Sequence, residues 1–115
     1  MNSTLENVLP KLLEFRAERQ WEQFHLPKEL AAALSIEASE LQELFLWRSG
    51  ETAEEVKRDA RRMPGIRDEV ADVLIYLLFL CHDLEIDPGE AVMTKLEKNR
   101  VKYPSEEYRG RFREP

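Results

Sequence analysis

One cysteine, two histidines and no apolar run longer than Val73 to Cys81 leave several protein classes without support in this 115-residue chain. A lone thiol, Cys81, on an apolar face cannot build a disulfide framework and points to a reducing, cytoplasmic setting. The longest apolar run is far too short to cross a bilayer, and no basic start followed by an apolar stretch opens the chain, so a soluble protein is expected. Positive charge is also short. With a net charge of -6, a general nucleic-acid-binding surface is excluded, and an anionic ligand must be met by a local group of cations. Strand-like alternation, internal repeats and low-complexity tracts are missing as well. What remains is one all-α domain over residues 1–115, large enough to bury roughly two thirds of its unfolded surface without cross-links.

Apolar periodicity and end signals divide the chain into four main helices and a short charged segment. Ser3 with Glu6 reads as a capping box opening a first helix that carries Leu5, Val8, Leu12 and Phe15 toward a core and ends near Gln23. Pro10 lies too deep for a first-turn proline, so a kink or a later start is expected there. Pro27 suits the first turn of a second helix running to about Trp47, closed by Ser49-Gly50. Thr52 with Glu55 caps a charged segment from Ala53 to Arg62, in which Arg58, Arg61 and Arg62, with Arg67 beyond, read as a solvated face. Met63-Pro64-Gly65 reads as an interruption before a third long helix, about Ile66 to Leu84. Asp87, Pro88 and Glu90 open a last helix to about Lys102, and the tail 105–115 is expected to be extended or loosely ordered. The breadth of the apolar face on the Ile66–Leu84 helix suggests burial on more than one side, hence a homodimer or higher assembly.

Two carboxylate pairs interrupt this pattern: Glu37 with Glu40, and Glu69 with Asp72. Residues three apart on a helix point toward nearly the same side. Leu30, Leu34, Leu41 and Leu44 form an apolar seam in which Glu37 occupies the position between Leu34 and Leu41, while Glu69, Asp72 and Tyr76 border the stripe of Val70, Val73, Leu74, Leu77, Leu78, Cys81 and Leu84. In a chain with 23 acids, such pairs can be ordinary surface groups; an acid on the buried seam argues against that for Glu37. If the helices pack together, four carboxylates converge. At ~4 Å and an effective dielectric of about 20, each like-charged pair costs on the order of 4 kcal/mol, so the cluster either takes up protons or holds cations. An all-oxygen donor set favours Mg²⁺ or Mn²⁺ over zinc or copper. Glu43, three residues further on, rotates away. Glu22 and His25 make one E-x-x-H, where a di-iron bundle needs two. His82 reads as a rim or core histidine.

Trp21, Trp47 and Tyr76 are either core aromatics or flat surfaces for a nucleobase. Trp47 falls two turns beyond Glu40 if the helix continues, and Tyr76 stands one turn beyond Asp72. On the last helix, Lys95, Asn99 and Lys102 share a face that is either solvated or suited to a polyphosphate bound through Mg²⁺.

The blocks E-A-S-E-L-Q-E-L-F-L-W and D-E-V-A-D-V-L-I-Y-L, with A-E-R-Q-W-E-Q-F-H (Ala17 to His25) and K-L-E-K-N-R-V-K-Y-P (Lys95 to Pro104), resemble the all-α nucleoside triphosphate pyrophosphohydrolases of the MazG-like superfamily. Within it the chain is most similar to the dCTP pyrophosphatase branch, over about residues 4–104. The resemblance implies that Glu37, Glu40, Glu69 and Asp72 are the Mg²⁺ ligands and catalytic acids. It implies that Lys95, Asn99, Arg100 and Tyr103 meet phosphates or sugar, and that Trp21, His25, Trp47 and Tyr76 shape the base and sugar pocket of a dimer or tetramer. Two departures, Ile36 where many members have an acid and Ala38-Ser39 for the commoner Val-Gly, bear on substrate choice.

The expected activity is therefore Mg²⁺-dependent hydrolysis of dCTP or a modified dCTP to the monophosphate and pyrophosphate, in nucleotide-pool control. The alternatives are the same reaction on many triphosphates, and a non-catalytic helical nucleotide-binding or interaction module.

Overall fold

Helices form where the apolar periods and caps ask for them. The computed structural model describes residues 4–111; Ser3 and the last residues of the tail lie outside that range. Six helices, α1 (Leu5–Glu18), α2 (Pro27–Glu43), α3 (Ala53–Lys57), α4 (Met63–Asp83), α5 (Pro88–Lys102) and α6 (Ser105–Tyr108), follow in order, with a 3-10 turn over Trp21–Phe24. Among the described residues there is no strand, and the all-α class stands. No helix among them is long and apolar enough to cross a membrane.

The caps explain most boundaries. Thr4 caps α1, its hydroxyl accepting from the Asn7 N–H at 3.2 Å. Thr52 does the same for Glu55 at 3.2 Å and Asp87 for Glu90 at 3.0 Å, each satisfying one orphan amide of a first turn. Pro10 is accommodated inside α1, which begins before it. That helix stops at Glu18, earlier than expected, because Gln20 turns into the left-handed region at φ 54° and donates back to the Ala17 carbonyl at 3.0 Å. Met63-Pro64-Gly65 is not a break: Pro64 needs no N–H in a first turn, so these residues start α4. Likewise α2 ends at Glu43 and gives way to turns before Trp47, and Ser105–Tyr108 of the expected loose tail is a helical turn.

The core is the packing of α2 on α4. Leu30 is 1% exposed, a burial that contributes on the order of 2 kcal/mol, and Ile66, Leu78, Phe79 and Cys81 are buried from the α4 side. At the far end of the seam Leu44 lies against Gly65, where an added Cβ would meet it at 3.6 Å. There Arg62, expected on a solvated face, is only 7% exposed. Its guanidinium donates to both Glu51 oxygens, to Asp59, and to the Leu44 carbonyl at 2.9 Å, joining the last turn of α2 to the first turn of α4. Phe15, expected in the core, is exposed and covered by the Arg19 guanidinium 3.7 Å from its ring centre.

Beyond this pair the chain is open. The α5 helix makes only marginal contact with the others and exposes Val92, Met93, Leu96 and Val101, while α4 presents Val70, Leu74, Leu77 and Leu84 outward. The radius of gyration is 17.5 Å, against roughly 13 Å for a compact chain of this length.

Candidate metal centre

Glu37 and Glu40 reach from α2, and Glu69 from α4, to the same place. One carboxylate oxygen of each lies within 4.8 Å of the others. Glu37 and Glu69 are half-buried and Glu40 is exposed, so the cluster opens to solvent on one side. Oε2 of Glu37 and Oε2 of Glu69 are enclosed with no hydrogen-bond partner among the described residues. Such a group costs free energy unless something positive reaches it. Hydrogen bonding to Glu69, then to Glu40, together with burial and the two negative neighbours, pushes the Glu37 carboxyl up to about 8. Without a cation the site keeps a proton, the outcome that crowded carboxylates force. The oxygen-only donors and the two orphaned oxygens fit a hard divalent ion.

Asp72 stands one turn after Glu69 on α4, half-buried, outside the group of three. Glu43 is exposed at the end of α2.

The aromatic residues divide. Trp21, His25 and Tyr76 come together: the His25 ring centre is 6.2 Å from Trp21, 6.3 Å from Tyr76 and 5.2 Å from Phe79, and Trp21 meets Phe15 edge-on at 5.6 Å. The 3-10 turn delivers His25, at its end, to the side of α4 at which Tyr76 and Phe79 lie one turn apart. Nδ1 of His25 is enclosed without a partner among the described residues. Burial first, then the Arg16 charge, hold the imidazole below the usual histidine range. Trp47 is not part of this group. With α2 ended at Glu43, the helical register that would align it with Glu40 is broken, and Trp47 is 99% exposed at φ 62°.

Lys95, Asn99 and Arg100 of α5, and Tyr103 just beyond it, make no hydrogen bond or ion pair with the three clustered acids among the described residues. Arg100 pairs with Glu97 at 2.7 Å, Tyr103 stands edge-on to Tyr108 at 5.1 Å, Asn99 is half-buried, and Lys95 lines an open cleft of about 450 Å³ with Glu85, Asp87 and Lys98. A larger cleft of about 1110 Å³ lies between the start of α1 and the end of α4, and its lining includes none of the clustered acids.

Two residues beside the aromatic group escaped the sequence reading. Arg16, 6% exposed, donates from both terminal nitrogens to Asp83 at 2.9 and 2.8 Å. Each was detectable: Arg16 follows Leu12 by four, and Asp83 follows Phe79 by four, so opposite charges interrupt two apolar stripes.

The MazG-like family pattern matches residues 32–113. The dCTP pyrophosphatase 1 of Bos taurus is 40% identical over 107 residues, 93% of this chain and 63% of that protein. The Homo sapiens protein of the same name is 40% identical over 102 residues, 89% of this chain and 60% of its own length. The chain thus spans less than two thirds of these relatives. The crystal structure of a pyrophosphatase from Archaeoglobus fulgidus superposes with a TM-score of 0.78 at 48% identity, covering 90% of this chain and 95% of that one.

Proposed function

The chain belongs to the MazG-like family, and on that premise we propose that it is a Mg²⁺-dependent nucleoside triphosphate pyrophosphohydrolase acting on dCTP or a modified dCTP. The observation that carries the reading is the meeting of Glu37, Glu40 and Glu69 from two helices, with two enclosed oxygens left unpartnered. The 40% identity to proteins named dCTP pyrophosphatase 1 supports the choice of substrate.

Glu37, Glu40 and Glu69, with Asp72 one turn along α4, would hold Mg²⁺, or Mn²⁺ in its place. Such an ion would supply charge neutralisation for the triphosphate and polarisation of the attacking water. Water oxygen adds to the α-phosphorus, the bond from that phosphorus to the oxygen bridging toward the β-phosphate breaks, and pyrophosphate leaves with that oxygen. An acid of the cluster takes the water's proton. Trp21, His25 and Tyr76 enclose the base and sugar, and the ring faces provide stacking. Trp47 and the α5 residues Lys95, Asn99, Arg100 and Tyr103 serve the phosphates and nucleoside of a neighbouring copy in a homodimer or homotetramer. The outward apolar stripe of α4, the exposed face of α5 and the 17.5 Å radius of gyration support that assembly. The lone buried thiol of Cys81 suits a cytoplasmic location, and the net charge of -6 argues against nucleic acid as a partner.

The test is pyrophosphate release from a panel of deoxy- and ribonucleoside triphosphates, with and without Mg²⁺. Mg²⁺-dependent release with dCTP dominant is expected. Comparable release from many triphosphates would replace the narrow specificity by a broad one, and orthophosphate released stepwise from the γ end would contradict the mechanism.

A further inference from the structure

Phe79 is a buried ring with an ion pair near it and the pocket histidine beside it. The Arg16 guanidinium carbon lies 4.7 Å from the Phe79 ring centre and the His25 ring centre 5.2 Å from it. Asp83, 67 positions from Arg16, holds the guanidinium in a two-pronged bond at 2.9 and 2.8 Å, which fixes its plane as a single contact could not. An ion pair this enclosed gives little net stability over an apolar pair of the same volume. Its effect is felt by what it touches. Nε of Arg16 and Nδ1 of His25 are both enclosed and unpartnered among the described residues, so no hydrogen bond to Nδ1 fixes the imidazole and its orientation depends on the groups packed around it.

We propose that the Arg16–Asp83 pair is a positioning element for His25, holding the imidazole beside Trp21 and Tyr76 through the shared Phe79 ring so that these rings meet a bound nucleoside in one fixed arrangement. This rests on the nucleotide reading above. The charged groups acting on His25 are Arg16 from α1, Glu22 from the 3-10 turn and Asp83 from α4; Arg16 opposes a proton on the ring and the two acids favour one. Burial is the largest influence and lowers the ring's affinity for a proton, and within the pair the two charges act on it in opposite directions.

The test uses the full chain with Arg16→Met and Asp83→Leu combined, which removes both charges and keeps the volume. The expected result is a native-like melting temperature, a KM for dCTP raised about ten-fold and a kcat within about two-fold of native, the signature of lost substrate positioning. His25 is followed in parallel by NMR titration, assigned with His82→Gln in a chain of two histidines. Arg16→Met alone should move its titration up and Asp83→Asn should move it down. If the double variant does not fold, Asp83→Asn, which keeps the side-chain shape, gives the same KM reading. A native KM in the folded variant, with the His25 titration unmoved in both single variants, overturns the proposal. If the native protein releases no pyrophosphate from any triphosphate, the nucleotide reading fails, while the His25 titrations still decide whether the pair governs that ring.

Discussion

Glu37 on α2 and Glu69 on α4 each enclose one carboxylate oxygen that no described group satisfies, and the two carboxylates bring an oxygen within 4.8 Å of each other. The acid cluster thus opposes the helix pair that builds it. Leu30, Ile66, Leu78 and Phe79 hold α2 and α4 together while the acids push them apart, and a proton or a cation removes the conflict.

That gives a pH dependence with a definite sign. A carboxyl whose folded value is raised to about 8 contributes stability fully below its unfolded value, near 4.3, and the contribution is lost as pH rises through 8. In chelator, the melting temperature should therefore fall between pH 5 and pH 8, by measurement of thermal unfolding across that range. Mg²⁺ should restore it at pH 8, and Glu37→Gln should flatten the decline and abolish pyrophosphate release. A metal-free melting temperature that rises over this range would sink the cluster as described.

Arg62 should be the costliest of the four arginines expected on a solvated face. It serves Glu51, Asp59 and the Leu44 carbonyl at once, and its loss leaves those acceptors without their shared donor. Thermal unfolding of Ala variants at Arg58, Arg61, Arg62 and Arg67 should show a clear drop for Arg62 alone. Four similar values would return Arg62 to the solvated face.

Asp83 sets an acid limit of opposite sign. The two-pronged bond from Arg16, chiefly, holds its carboxyl below the usual range, so its stabilisation is present above about pH 4 and is lost as pH falls through the lowered folded value. Arg16→Ala should cost about 2–3 kcal/mol at pH 7, below the figure for a fully enclosed pair because the Asp83 side chain keeps 24% of its exposure. Urea unfolding at pH 7 and pH 3 tests this: the cost should shrink at the lower pH, and an unchanged cost would mean the lost packing on Phe79 dominates.

Trp47 combines full exposure with a left-handed backbone at φ 62°, a conformation that strains a residue with a side chain by about 1–2 kcal/mol. Among the described residues no hydrogen bond or ring contact of Trp47 repays that strain, which is the pattern of a residue kept for binding. Trp47→Gly should leave thermal stability unchanged or higher while raising KM for the nucleotide several-fold. A lower melting temperature with unchanged KM would make Trp47 a packing residue between copies instead.

The parts of the fold decided by local chemistry were legible in the sequence, and those decided by distant partners were not. Thr52 with Glu55 and Asp87 with Glu90 announce helix starts because a cap needs only a side chain and an amide three residues on. The 37/40 and 69 acids meet because helical spacing and the seam position of Glu37 carry enough information. Gly65 and Pro64 misled because the same residues that break a helix also begin one. Arg62 looked solvated because its partners, Glu51 and Leu44, lie across a turn that no periodicity describes. Phe15 counted as core by spacing, yet the open arrangement of α1 leaves it to Arg19. The register from Glu40 to Trp47 failed for want of a visible stop after Glu43.

The scant footing of α5 on its own chain bears on how turnover scales with protein concentration. In the proposed assembly, a helix that brought Lys95, Asn99, Arg100 and Tyr103 to a neighbour's acids would make each active centre a product of association. Dilution would then silence the enzyme while leaving the α2–α4 pair folded, and specific activity, instead of being constant, would rise with the amount of protein in the assay until assembly is complete.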